Sequence, residues 1–155
     1  MNLLSIARLF GLSTNDAKVR DLLKDLGVPS APKLNPGDTS VNVERRDSGL
    51  YLAFSDEAFF RKRKGVPIGT GPLILTNVTV YCEPTPEFRA YKDELPFGLL
   101  PSDGRDAVRN KLGAPELEID WQNLDRWTID RMWTFVQYKD DLKVIDNLSL
   151  QLPDE

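Results

Sequence analysis

Apolar residues along this chain first recur at helical spacing, then alternate, and the succession occurs twice. Leu3, Ile6, Ala7 and Phe10 lie three and four apart, which predicts a helix from Asn2 to Phe10 with Gly11 as its C-terminal stop. Val19, Leu22, Leu23 and Leu26 form the stripe of a second helix, with Ser13 or Thr14 as its cap and Gly27 and Pro29 closing it. Pro32 and the Pro36-Gly37 pair make residues 30–38 a loop. Alternation then takes over. Ser40 to Glu44 places Val41 and Val43 inward, Arg46 to Gly49 reads as a turn, and Leu50, Leu52 and Phe54 share one face of the next strand. Residues 57–71 read as a long connection. A third strand runs from about Leu73 to Cys82, with Val78, Val80 and Cys82 on one face and Asn77, Thr79 and Tyr81 on the other.

Glu83 to Leu95 is a proline-containing joint, after which the order repeats. Ser102 is a candidate cap for a helix bearing Val108 and Leu112, expected to be short because Gly104 weakens its first turn. Trp127 and Ile129 alternate in one strand, and Met132 to Lys139 forms another. Lys139-Asp140-Asp141 is a tight turn, and Val144 to Leu152 closes the chain with Leu148, Leu150 and Leu152 inward. Short motifs recur at matching offsets. Leu26-Gly27-Val28-Pro29 returns 86 positions on as Leu112-Gly113-Ala114-Pro115, and Phe10-Gly11-Leu12 returns 87 positions on as Phe97-Gly98-Leu99. Leu75 to Val80 matches Ile145 to Leu150, and Leu50 to Phe54 matches Thr134 to Tyr138. The expected fold is therefore α+β: two tandem helix-plus-antiparallel-strand repeats, residues 1–88 and 89–155, forming one structural domain. Helices would cover one face of the sheet and leave the other open.

That second face is where the sequence points to chemistry. It would present Tyr51, Ala53, Asn77, Thr79 and Tyr81 from the first repeat, and Trp133, Phe135, Gln137, Asn147, Ser149 and Gln151 from the second. A solvated sheet face normally reads polar, so large aromatics among Asn, Ser, Thr and Gln suggest a binding surface. The competing reading is that segment 57–71 or 83–95 folds over and buries them.

Composition narrows the functions this face serves. With 155 residues, 41% hydrophobic and 28% charged, the chain reads as an ordinary globular protein, and no apolar run is long enough for a membrane span. Arg8 falls inside the apolar stretch from Met1 to Leu12, which argues against a secretory leader. A lone cysteine, Cys82 on an inward position, fits a reducing compartment and an inert core thiol, so a cytoplasmic location is expected. Histidine is absent, which removes the commonest general base and zinc ligand. No nucleophile stands with an activating base, so neither catalysis nor a cofactor is expected.

Residues 1–88 carry 11 basic and 10 acidic side chains, against 9 basic and 14 acidic in residues 89–155. An acidic second half argues against nucleic acid and for a basic protein partner. Arg61-Lys62-Arg63-Lys64 lacks aromatic interleaving and reads as a solvated loop. The glycine-rich run from Gly65 to Gly71 leads into a strand rather than a helix, so it makes no phosphate cradle. Asp140-Asp141 with Asp146, and Glu116 with Glu118 and Asp120, lack calcium-loop spacing, and no metal is expected.

Two copies of helix, Leu-Gly-x-Pro and antiparallel strands resemble the tandem architecture of beta-lactamase-inhibitor-protein-like folds. Glu94-Leu95-Pro96-Phe97-Gly98-Leu99, followed by Arg105, Val108 and Leu112-Gly113-Ala114-Pro115, is similar to small bacterial immunity proteins of the pyocin type. The resemblance implies a stoichiometric inhibitor of a cognate toxin, acting through a sheet face. On that expectation Trp133 and Phe135 are the anchors, Tyr51, Tyr81, Gln137 and Asn147 extend the contact, and Asp130, Asp140 and Asp146 steer a basic partner from the rim. Two alternatives stand beside it: a self-associating module that pairs through the same face as a homodimer, and a small-ligand-binding domain with its pocket between the repeats.

Overall fold

Asn2 opens the first helix by accepting a hydrogen bond from the Leu4 N–H at 2.9 Å, and the computed structural model describes residues 2–154 from there. That helix, α1 (Leu3–Ala7), is shorter than the stripe to Phe10 predicts. Leu9 and Phe10 tighten into turns, and Gly11 adopts φ +87°. The Gly11 N–H then donates to the Leu75 carbonyl, and the Leu75 N–H to the Leu12 carbonyl. Pairing with a strand replaces the last helical turn. The same pairing corrects the next cap. Ser13 bridges to Ile74 and the Thr14 N–H donates to Leu73, so neither caps α2 (Ala17–Asp25). Asp16 does, accepting from the Lys18 N–H at 2.8 Å.

β1 (Ser40–Arg45) and β2 (Leu50–Asp56) form a hairpin across a 3-10 turn at Arg46–Ser48, with Gly49 left-handed at φ +70°. The connection expected at 57–71 is not all loop, because Asp56 caps a one-turn helix, α3 (Glu57–Phe60), through the Phe59 N–H. The basic run is solvated from Lys62 to Lys64, as expected, but it is tied down at its start, where Arg61 and the exposed Arg63 both pair with Glu57. β3 (Leu73–Tyr81) follows.

In the second half α4 (Arg105–Leu112) begins at Gly104, not at Ser102. Gly104 lies outside the helix, and the reason for glycine is space: a Cβ there would stand 2.8 Å from the Leu142 carbonyl oxygen. β4 (Leu117–Ile119), β5 (Leu124–Ile129), β6 (Met132–Tyr138) and β7 (Ile145–Gln151) complete the chain. The three-residue β4 has no counterpart in the alternation pattern.

All seven strands form one continuous antiparallel sheet in the order β1-β2-β3-β7-β6-β5-β4. The seam is β3 against β7, where Val78 pairs with Leu150 and Val80 with Leu148. Leu50, Leu52, Phe54, Val78, Val80, Val136, Leu148 and Leu150 form the centre of a buried cluster that takes in Leu3 and Ile6 of α1, Val19 and Leu22 of α2, and Val108 of α4. Cys82 belongs to it, and burial pushes its thiol up to about 12, with Asp146 and Glu83 adding.

One buried polar constellation fastens α4 to the sheet. Asp125, on an inward position of β5 and 2% exposed, accepts from Arg109 Nε at 2.9 Å, Arg109 Nη2 at 2.8 Å and the Tyr138 hydroxyl at 3.0 Å. The hydrogen bonds to Asp125 raise the Arg109 pKa, so its charge persists. Burial, then Asp125, pushes the Tyr138 phenol up and keeps it a hydrogen-bond donor.

Candidate protein-binding face

The face opposite that cluster is assembled from strands of both halves. Cross-strand pairs Asn77–Gln151, Thr79–Ser149 and Tyr81–Asn147 span the seam, and Trp133–Gln151, Phe135–Ser149 and Gln137–Asn147 continue the rows onto β6. Because side chains alternate, these residues share one side. Of those in the seam rows Thr79 is buried, and Asn77, Tyr81, Asn147, Ser149 and Gln151 are half-buried.

The middle of the face is a closed polar ladder. Thr79 Oγ1 bonds Asn77 Oδ1 at 2.8 Å and Ser149 Oγ at 2.6 Å. Asn147 Nδ2 donates to Gln137 Oε1 at 2.8 Å, and Gln137 Nε2 donates to the Gln122 carbonyl at 2.9 Å. Satisfied by one another, these groups hold the surface in one arrangement and leave few polar atoms for a partner to desolvate at cost.

Aromatic clusters flank the ladder. On the β6 side, Trp133 and Phe135 meet edge to face with centroids 6.1 Å apart. Two residues in left-handed conformation, Asp130 at φ 51° and Arg131 at φ 66°, make the tight β5–β6 turn that sets this register. Arg126, from β5, lays its guanidinium 4.4 Å from the centre of the Trp133 ring. Glu116 holds that guanidinium at 3.1 Å and also accepts from the Thr128 hydroxyl at 2.6 Å. The indole is thus clamped beneath a cation rather than standing free, a contact of about 0.5–1 kcal/mol.

On the β2–β3 side, Tyr51 and Tyr81 lie 6.3 Å apart, and Phe88 packs 4.7 Å from Tyr81 and 6.5 Å from Tyr51. Segment 83–95 therefore does fold over this end, as the competing reading of the sequence has it. Backbone bonds from Arg89 to Arg46 and from Tyr91 to Tyr81 hold it there. Burial, with Tyr51 and Asp146 adding, pushes the Tyr81 phenol up, so it stays protonated at neutral pH.

Of the three rim carboxylates, Asp140 and Asp146 line one recess and Asp130 stands apart. Asp130 precedes β6 and Asp140 follows it, so the length of a seven-residue strand, about 23 Å, separates their positions. Asp146 sits in a bulge opposite β6 and pairs with Lys139 at 3.2 Å. Of the carboxylates weighed for a cation, Glu116 faces Arg126 and Glu118 stands 3.6 Å from Arg109.

No family model, curated protein or solved structure matches this chain. Nor, among the described residues, is any helix long and apolar enough to cross a membrane.

Four residues at the site escape the sequence pattern. Phe88 lies in an irregular segment, and Arg126 reads as an ordinary outward charge. Leu117, 37% exposed, lies on β4, which pairs with Arg126 and so borders the Trp133 cluster. Trp121 is 83% exposed at the tip of the β4–β5 turn. A signal for it was present: Asp120-Trp121-Gln122-Asn123 has turn composition, and an aromatic in a turn faces outward.

Proposed function

We propose that this chain is a stoichiometric protein inhibitor of the immunity type, which neutralises a cognate basic bacterial toxin in the cytoplasm by covering it with this sheet face. In this reading residues 1–88 and 89–155 are tandem repeats whose helices pack on one side of the sheet and whose other side is the contact surface. The observation that carries it is the preorganised Trp133–Phe135 pair, clamped by Arg126 and bordered by Leu117 and the closed polar ladder. Trp, Tyr and Arg dominate binding hot spots, and side chains already fixed lose little entropy on association. A contact of ordinary size buries about 800 Å² on each partner, and one side of a seven-stranded sheet is wide enough to supply it. The acidic excess of residues 89–155 favours a basic partner.

Co-expression with the product of the adjacent gene tests this. The expected result is a co-purifying complex in which the neighbour's toxicity is lost. Trp133→Ala, with its fold intact by circular dichroism, then weakens the complex by about 2 kcal/mol or more, roughly thirty-fold. A chain that purifies alone beside a harmless neighbour refutes the proposal, and unchanged affinity in Trp133→Ala refutes the site.

A further inference from the structure

The β4–β5 turn carries a tryptophan that its geometry does not require. Residues 120–123 close Ile119 onto Leu124 through a 3-10 turn that ends left-handed at Asn123, φ +53°. Residues 46–49 close Arg45 onto Leu50 in the same way, ending left-handed at Gly49. The second position is Asp47 in one turn and Trp121 in the other, so an aspartate serves the geometry equally well. Trp121 is also the most exposed of the large apolar side chains among the described residues. An indole left in water forgoes the free energy that covering it would return.

The turn is held in place. Asn123 O accepts from the Tyr138 N–H at 2.9 Å, and Gln122 O accepts from Gln137 Nε2 at 2.9 Å. These bonds fasten it beside the β6–β7 turn, and between the two turns lies an open recess of about 390 Å³. Trp121, Gln122, Asn123, Lys139, Asp140 and Asp146 line it. Lys139 and Asp146 pair at 3.2 Å, so Asp140 gives the lining a net negative charge, with Asp120 beside Trp121 in the turn.

We propose that this recess receives one arginine or lysine side chain of a basic protein partner. Its alkyl stem would cover the indole, and its cation would sit between the Trp121 ring and the Asp140 carboxylate. Charge complementarity selects this occupant: an acidic or purely apolar residue would meet Asp140 with repulsion or without a counter-charge. The proposal rests on the reading of the chain as a binder of a basic protein, yet it is testable without that protein.

The full chain is titrated with the capped tripeptides acetyl-Gly-Arg-Gly-amide, its lysine analogue and its glutamate analogue, read by backbone amide shifts and tryptophan emission. The arginine peptide is expected to move the amides of Gln122, Asn123 and Asp140 at millimolar concentration, and the glutamate peptide is not. Trp121→Ala should abolish the response and Asp140→Asn weaken it at least five-fold, while Phe59→Ala, at an exposed aromatic on α3, leaves it unchanged. Equal shifts with arginine and glutamate peptides, or a response that survives Trp121→Ala, overturn the proposal. So does self-association in sedimentation that Trp121→Ala removes, which assigns the recess to a second copy. A positive titration beside a failed co-expression refutes the toxin reading alone, and the converse refutes the recess alone.

Discussion

Removing the Asp125 carboxylate should cost more stability than its size suggests, because three donors converge on it, one of them fully buried. Arg109 supplies two hydrogen bonds at 2.8 and 2.9 Å, and Tyr138 one at 3.0 Å. In Asp125→Ala the Tyr138 hydroxyl, on a residue 3% exposed, loses its acceptor, a penalty of about 1–3 kcal/mol. Breaking a buried ion pair from one side costs about 3–5 kcal/mol. Here the lower end applies, since the Arg109 side chain keeps 27% of its surface in solvent and has Glu118 at 3.6 Å. With the Tyr138 penalty also at its lower end, the expected total is about 4 kcal/mol, which for a chain of this length lowers the melting temperature by about 8–16 °C. Urea denaturation at neutral pH measures it, with an unchanged m-value as the check that only stability moved. Tyr138→Phe should cost about 1 kcal/mol by itself, and Asp125→Ala made in that background should cost about 1 kcal/mol less than in the wild type. A loss below about 1 kcal/mol for Asp125→Ala would refute the account of α4 as fastened by this cluster.

Thr134 is fully buried and its hydroxyl has no hydrogen-bond partner in the structure, so Thr134→Val should stabilise by about 1 kcal/mol in the same assay. Gly49→Ala should destabilise by about 2–4 kcal/mol: the backbone is left-handed, and a Cβ would stand 2.4 Å from the Arg89 carbonyl oxygen. Near-ultraviolet circular dichroism should also lose part of its tyrosine signal, because the displaced segment carries Phe88 over Tyr81. Stability should decline from about pH 8 toward pH 12. Cys82 and Tyr91, ordinarily near 9.0 and 10.0, are pushed up to about 12 by burial, and Tyr138 is raised as well. The folded state therefore retains protons that the unfolded chain releases from about pH 8 upward, and stability is lost as pH rises from there toward 12. Urea midpoints between pH 8 and 11.5 test this, with Tyr91→Phe expected to flatten the decline.

Much of the fold was legible because its signals are local. The alternation at Leu50–Phe54 and at Val78–Val80 specifies strands whose faces cannot exchange without exposing the whole apolar set. Gly27 and Gly49, at φ +74° and +70°, stand where the stop and the turn were expected. The candidate face was legible to the same depth, since Trp133, Phe135 and Gln137 follow from the register that buries Thr134 and Val136. Beyond that the pattern is silent. Asp125 occupies an inward position that a pattern of apolar residues passes over, and only the reach of Arg109 from α4 to β5 supplies the arginine that makes a carboxylate tolerable there. Ser13, Thr14 and Ser102 have the chemistry of caps, but pairing with β3 engages the first two, and the approach of the Leu142 carbonyl sets the α4 start at Gly104.

The amino-acid sequence thus determined six of the seven strands, their faces and most of their turns, because each depends on residues a few positions apart. The tertiary structure alone decided that β3 and β7, some seventy residues apart, join two halves into one sheet, because backbone hydrogen bonds across a seam carry no residue signature. It also decided that Phe88 covers the tyrosines, that Arg126 clamps Trp133 and that Trp121 and Asp140 line one recess. Each of these is a meeting of segments brought together by packing, and packing energy depends on which surfaces meet rather than on the order of residues in the chain.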